Sequence, residues 1–484
     1  MILFLVYRII EKVLKIRPEA LIGFLMFYFF SKFFKIFQNV ELKKYDDKRT
    51  LWGLFRLNNN SELNLREFEQ NVNLSVNYGK ICFENSMETS IRGINTITII
   101  FRNKLKYQEN KTFFDTYLKL CREHARICPD LYIKRSGFKF NDESNNHRFY
   151  NLLFLEYYNF FFLGKVSFSE LIHFIKIRLV NNEFYDEGSS FYHYGIIDSL
   201  RKFLNFLRKH KYRNIPREFN KTVLKLAKNI EVFKSLNFGD RDGTTILGEQ
   251  GSHINNNRML LNNDKFFLVQ NCKKYVFIRK QNWTNFGTEG HLHDDSGMFL
   301  VSNGKNAIYD LGTFKYNLEP RYCKSRFHNF PYTNSISELK YLERFIRRPN
   351  KAVDIRDARN LISISKSTEQ LKITREYNII QESFQDYITT KKDTEIDVTW
   401  RFYLSSNCNF RCYRKRSLVL LKVPGFCEFK LNSESTHNIE SGIYFPDYNL
   451  VRNCKVLNIA FKKVIKSDIK TKIITFSQLF NIND

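Results

Sequence analysis

Three of the chain's ten histidines, His291, His293 and His328, fall within residues 283–335, and Asp310 lies among them. Imidazole nitrogens and a carboxylate oxygen are donors that a zinc ion takes in tetrahedral sites. The spacing offers a way to bring them together. Asn303-Gly304 stands between MFLVS and KNAIYD, and Asn-Gly suits a two-residue type I′ turn because both central positions need positive φ. Folding back about that pair sets Asp310 near the level of Ser296 and Gly297, just past His293. If His328 returns to the same end, two imidazoles and a carboxylate converge. His291 and His293 are two apart and share a face in an extended segment. One can then bind metal while its neighbour points into a cleft. The plainer alternative is that HLHDD is a polar loop with no ligand.

The first half of the chain carries further candidates. DEGSSFYHYGIIDSL, residues 186–200, opens with a Gly-Ser-Ser loop that enters a helix. Ser189 or Ser190 can cap that helix, which leaves Tyr192 and His193 in its first turn, where side chains often face a cleft. Taken alone, Tyr192 reads as a core aromatic in a chain with 26 tyrosines. Asn145, Asn146 and His147 stand just before an apolar helix and read, on their own, as an N-cap cluster.

The elements that must position these residues change character along the chain. From about residue 100 to 236 the pattern is helical. Residues 147–164 are apolar on most faces, as in a helix buried between neighbours. Residues 192–210 space Ile196, Leu200, Leu204 and Leu207 at helical intervals. Pro216 opens a third helix, with Val223, Leu226, Ala227, Ile230 and Phe233 as its stripe. Beyond NFGDRDGTT, residues 237–245, come short runs of β-formers: FFLV, YVFI, MFLV, NAIYD, SLVLLKV and KIITF. Asn, Gly, Lys and Asp clusters separate them, the pattern of an antiparallel sandwich. The organisation predicted is multidomain α plus β, with a helical domain over 40–236 and a β-sandwich over 237–484.

Residues 1–39 form an apolar and basic segment in which charges follow the apolar run, the reverse of a signal peptide. Its uncharged stretch, residues 20–31, is shorter than the ~20 residues that span a bilayer. It reads as a helix, with peripheral membrane contact through residues 20–37. Nine scattered cysteines without a C-x-x-C pair argue against a disulfide framework. The net charge of +27 admits an acidic partner, and acidic polysaccharide, anionic membrane and nucleic acid all qualify. No recognised nucleic-acid module accompanies it, so no nucleic-acid partner is expected.

The run GHLHDDSGMFLVSNGKNAIYDLGTFKYN resembles the signature of the heparinase II/III-like polysaccharide lyases. That signature reads G-H-x-H-x-D, a strand, an N-G or D-G turn, a strand, D-P-G-T and a later A-H-N-T. Phe327-His328-Asn329 takes the place of the last piece. The α domain of the family matches in order: S-x-R at Ser90–Arg92, N-H at Asn146-His147, E-G-S-x-x-Y-H at residues 187–193, and G-D-x-D at 239–242. The likeness runs from about residue 80 to 335. It departs at Tyr150, where the family often has glutamate, at Leu311, where it has proline, and after His328.

The resemblance implies an incomplete (α/α) toroid followed by the sandwich. It implies β-elimination on an acidic, uronate-containing polysaccharide, with Tyr192, His291, His147 and Asn146 catalytic and with Arg92, His193 and Glu187 binding substrate. It also implies a structural zinc held by His293, Asp310 and His328. An exported family suggests a periplasmic or envelope location, although this N-terminus carries no clean signal and leaves the cytoplasm open. Two other functions stay open. One is a glycoside hydrolase on the same scaffold, for which Glu187, Asp240 and Asp242 are the available carboxylates. The other is a catalytically degenerate polysaccharide-binding or envelope-assembly protein.

Overall fold

The computed structural model describes residues 86–102, 104–127, 146–180, 189–227, 233, 236, 259–262, 266–271, 273–280, 295–312, 325–333, 339–343, 346–349, 353–415, 418–447 and 450–482. The N-terminal segment and the predicted domain boundary near 237 lie outside them. The described residues are α plus β and fall into two units. The first holds helices α1 (Ser86–Arg102), α2 (Lys104–Glu109), α3 (Lys111–Ile127), α4 (Asn146–Leu163) and α5 (Ser169–Ile175), with a π-helical turn at Lys176–Val180. It also holds α6 (Ser190–Lys209) from Tyr194 onward and α7 (Arg217–Ala227). The second holds residues 189–193, Phe233, Leu236 and the strands.

Aromatic packing builds the first unit. Gly93 lets α1 approach α4 closely, since a Cβ there would lie 2.2 Å from the Phe154 ring. Ser90 Oγ donates to Asn151 Oδ1 (2.8 Å) beside that contact. Farther along α1, Phe101 meets Phe160, Phe161 and Phe206 at ring separations of 5.9, 5.7 and 5.1 Å. Full burial of such a ring is worth about 1.5–3 kcal/mol, and Phe101, Phe160 and Phe161, being half-buried, contribute less. On α7 the predicted stripe is buried at Val223, Leu226 and Ala227, joined by Phe219. Among the described residues of this unit there is no strand. No helix among the described residues is long and apolar enough to cross a membrane.

The strands of the second unit begin with Met259–Asn262 (β1), Phe266–Asn271 (β2), Lys274–Arg279 (β3), Phe299–Asn303 (β4) and Ala307–Tyr309 (β5). Leu339–Glu343 (β6) and Ile346–Pro349 (β7) form a separate pair. Val353–Ala358 (β8), Leu361–Ser367 (β9), Leu371–Asn378 (β10), Ser383–Thr390 (β11) and Thr394–Ser405 (β12) follow. Arg411–Lys415 (β13), Leu418–Val423 (β14), Cys427–Asn432 (β15), Thr436–Asp447 (β16), Leu450–Ile465 (β17) and Thr471–Gln478 (β18) complete them. Two eight-stranded sheets result, β1-β2-β3-β4-β5-β12-β17-β16 and β13-β14-β15-β18-β11-β10-β9-β8. Their pairings are antiparallel throughout. One core lies between the sheets. Phe299 of the first sits 4.6 Å from Phe384 and 5.0 Å from Phe476 of the second.

The hairpin at residues 299–309 forms where the sequence puts it, with a different turn. The pairs Val301↔Ile308 and Ser302↔Ala307 leave Gly304 and Lys305 at the tip, not Asn303 and Gly304. Gly304 has φ +83° and Lys305 is not among the residues of positive φ, the pattern of a type II′ turn with glycine first. Asn303 serves as an anchor: its Oδ1 accepts from the backbone N–H of Lys305 (3.0 Å) and Asn306 (2.7 Å). Its Nδ2 donates to Gly425 O at 3.0 Å. Continuing the register sets Asp310 against Phe299 and not against Gly297. The shift is by two residues, so no side chain changes face.

Candidate functional site

Asp310 leaves the end of β5 with its carboxylate buried, and His328 follows a 3₁₀ turn at Ser325–Phe327. The two meet. His328 Nδ1 and Asp310 Oδ1 are 2.7 Å apart, and both side chains are wholly out of contact with solvent. Asn329 explains how the returning chain is held there. Its Oδ1 accepts from Phe299 N–H (2.9 Å) and its Nδ2 donates to Phe299 O (2.5 Å). The carboxamide thus makes the two bonds that another residue of β5 would have made. Asp310 Oδ2 is buried and has no hydrogen-bond partner among the described residues. A buried carboxylate oxygen left so costs free energy unless something binds it.

The surroundings are aromatic and basic. Leu311 packs with Tyr403, Tyr444 and Phe445, and its carbonyl accepts from Phe445 N–H at 2.8 Å. Burial pushes the Tyr403 hydroxyl well above the ordinary range, with the Arg401 guanidinium opposing the shift and Asp310 adding to it. Asp295, the aspartate that closes the G-H-x-H-x-D pattern, is fully buried, with Oδ1 3.6 Å from Arg279 Nε. Among the described residues no group of three or more His, Cys, Asp or Glu side chains could hold a metal. His291, His293 and Glu187 lie outside the described residues.

The helical candidates sit at helix starts. Asn146 begins α4 and is buried, with His147 half-buried beside it. Arg92, two residues beyond Ser90 on α1, is buried and reaches Glu88 O through Nε at 3.4 Å. Ser189 caps α6 as read from the sequence: its Oγ accepts from Phe191 N–H (3.2 Å) and Tyr192 N–H (3.4 Å). Ser190 is tied instead to Leu236 O at 2.7 Å. Tyr192 is 2% exposed. His193 lies edge-on to Phe233, with ring centres 4.4 Å apart, and burial pushes its pKa down to about 3. It is therefore neutral at physiological pH.

No family model matches the sequence, and no curated protein does. Solved structures do match in shape. The heparan sulfate lyase HepC of Pedobacter heparinus aligns over 90% of this chain and 77% of its own, with TM-score 0.51 and 14% identity. A heparinase III structure aligns over 82% of this chain and 70% of its own, with TM-score 0.53 and 12% identity. The chain has a heparinase-like fold. On this fold two of the departures, Tyr150 and Leu311, are accommodated by packing. Tyr150 is buried with its hydroxyl 3.3 Å from Ser199 Oγ, and Ser199 in turn donates to Gly195 O at 2.6 Å. Leu311 fills an apolar cluster with Tyr403, Tyr444, Phe445, Cys454 and Val456. What sequence reasoning missed is the buried set behind Asn329, namely Arg375, Asp386 and Trp400. Arg375 falls in phase with Leu371, Ile373 and Tyr377 on β10. An inward-facing arginine in an otherwise alternating strand is the one signal that was available.

Proposed function

We propose that the protein is a polysaccharide lyase acting on an acidic, uronate-containing polysaccharide by β-elimination. The observation that carries the reading is the likeness in fold, over most of the chain, to a heparan sulfate lyase and a heparinase III. The His328–Asp310 pairing supports it, because both residues stand at positions that match that family's motifs. On this reading the helices belong to an incomplete (α/α) toroid.

β-Elimination removes the proton on C5 of the uronate. The freed electron pair forms the C4–C5 double bond, the C4–O bond breaks, and the departing oxygen takes up a proton; no water is consumed. Asn146 and His147 would donate hydrogen bonds to the C5 carboxylate, where charge accumulates. Tyr192 would hand its phenolic proton to the leaving oxygen. The configuration at C5 decides whether Tyr192 or His291 accepts the first proton. Arg92, Glu187 and His193 would bind the sugar, His193 as a neutral imidazole.

His293, Asp310 and His328 would hold a zinc ion. The donor types suit zinc, two of the three are already together and buried, and Asp310 has an oxygen to offer. Bound there, zinc would supply a structural cross-link that fixes the loop carrying His291.

The test is an ultraviolet scan of a panel of uronate polymers, heparan sulfate among them, incubated with the full chain. Growth of the unsaturated-uronate chromophore is expected. New reducing ends without it would point to a hydrolase, and binding with neither would leave a polysaccharide-binding protein.

A further inference from the structure

We propose that Arg375 is a positioning residue, whose single guanidinium holds two segments, the one that carries His328 and the turn before β4 that follows His293 in sequence; this rests on the metal reading above. Its five N–H groups all find acceptors. Nε and Nη2 take the two oxygens of Asp386 at 2.7 and 2.6 Å, and Trp400 Nε1 donates to Asp386 Oδ2 at 2.8 Å. That much is a buried ion pair, which well-packed apolar residues could replace.

The other three N–H groups do something else. They leave the sheet that carries Arg375 and end on the two segments at issue. Nη1 donates to Gly297 O (2.9 Å) and Asn329 Oδ1 (3.4 Å), and Nη2 donates to Asn329 O (2.9 Å). Gly297 lies four residues after His293, and Asn329 adjoins His328. Phe299, Phe330 and Phe384 place their rings 5.3, 5.2 and 4.3 Å from the guanidinium carbon, so the fork cannot swing away. Asn329, gripped at its carbonyl and side chain, then makes the paired bonds to Phe299 that hold His328 beside Asp310. A lysine would keep the charge but has no planar fork to span Asp386 and both segments.

The experiment compares the full-length protein with Arg375→Lys by hydrogen-exchange mass spectrometry and by zinc affinity in chelator competition. Peptides covering 295–300 and 327–331 should exchange about tenfold faster or more, while those from β14 and β15 keep wild-type rates. Zinc affinity should fall about 10–100-fold, the usual loss for a residue that orients metal ligands. Unchanged exchange in the two segments, or equal acceleration everywhere, overturns the proposal. If wild type takes up no zinc, the metal reading falls and exchange alone decides on Arg375. If both proteins bind zinc equally well, Arg375 loses the role and the metal reading stands. Should Arg375→Lys fail to fold, Trp400→Phe takes its place, since it removes only one donor from Asp386. Acceleration confined to the same two segments, by a few-fold, is then expected, and its absence overturns the proposal.

Discussion

At the end of β5, the contacts that fix Asp310 and His328 come from far along the chain: Asn329 reaches Phe299 across 30 residues and Arg375 reaches Asn329 across 46. At the start of α6, Tyr192 is fixed by Ser189, three residues away. The first region carries two of the proposed zinc donors and the second a proposed proton donor, yet one is assembled by tertiary structure and the other by a helix cap. The difference bears on how each will fail. Loss of a distant buried partner should disturb the first region as a whole, whereas changes in the second should stay local.

The largest effect is expected from Asp386→Ala. It leaves the Arg375 guanidinium buried without its carboxylate, which typically costs about 3–5 kcal/mol. Urea unfolding should show that loss, and a cost below about 1 kcal/mol would mean that the pair is not what braces this region. Next comes Tyr192→Phe, which deletes one oxygen and leaves the cap untouched. Turnover should fall at least about 100-fold with KM near wild type. Turnover close to wild type would remove Tyr192 from the mechanism. Gly297→Ala tests the first region again. Gly297 has φ +84°, and an added Cβ would lie 2.2 Å from the Phe330 ring, so a loss of about 1–3 kcal/mol is expected. A neutral result would show that the turn before β4 can relax.

His193 sharpens the comparison from the helical side. Its pKa falls from 6.5 to about 3 on burial. Between those values the unfolded chain binds a proton that the folded protein does not. The contribution is therefore intact above pH 6.5 and is lost as pH falls towards 3, by about 1.4 kcal/mol per pH unit. Denaturation midpoints of His193→Gln and wild type, measured from pH 7 to 4, should show a shallower acid slope for the variant. Parallel slopes would mean that His193 titrates normally in the folded protein.

These contrasts also explain what could be read in advance. Helix α4 was legible because an almost wholly apolar run has to be buried, and α6 because Ser189 announces its start. The strands were legible from β-branched and aromatic runs between turn residues. The pairing of Asp310 with His328 was legible only because family motifs named both. Spacing brought the hairpin to the right place but said nothing of where the chain returns after residue 312. Arg375, Asp386 and Trp400 were invisible, because a buried polar network is defined by partners dozens of residues apart.

The smallest expected effect separates two turns that one dipeptide permits. In a type I′ turn on Asn303-Gly304, Asn303 would need positive φ, and glycine there would be tolerated or favoured. In the observed turn Asn303 sits ahead of the tip, and its side chain makes the three bonds to Lys305, Asn306 and Gly425. Asn303→Gly then removes all three and adds backbone freedom in the unfolded chain. These bonds lie near solvent, where each is worth little net, so the sum should be about 1 kcal/mol of destabilisation. Equilibrium unfolding in urea can resolve that difference. A variant as stable as wild type, or more so, would restore the turn centred on Asn303-Gly304. With it would return the register that sets Asp310 against Gly297.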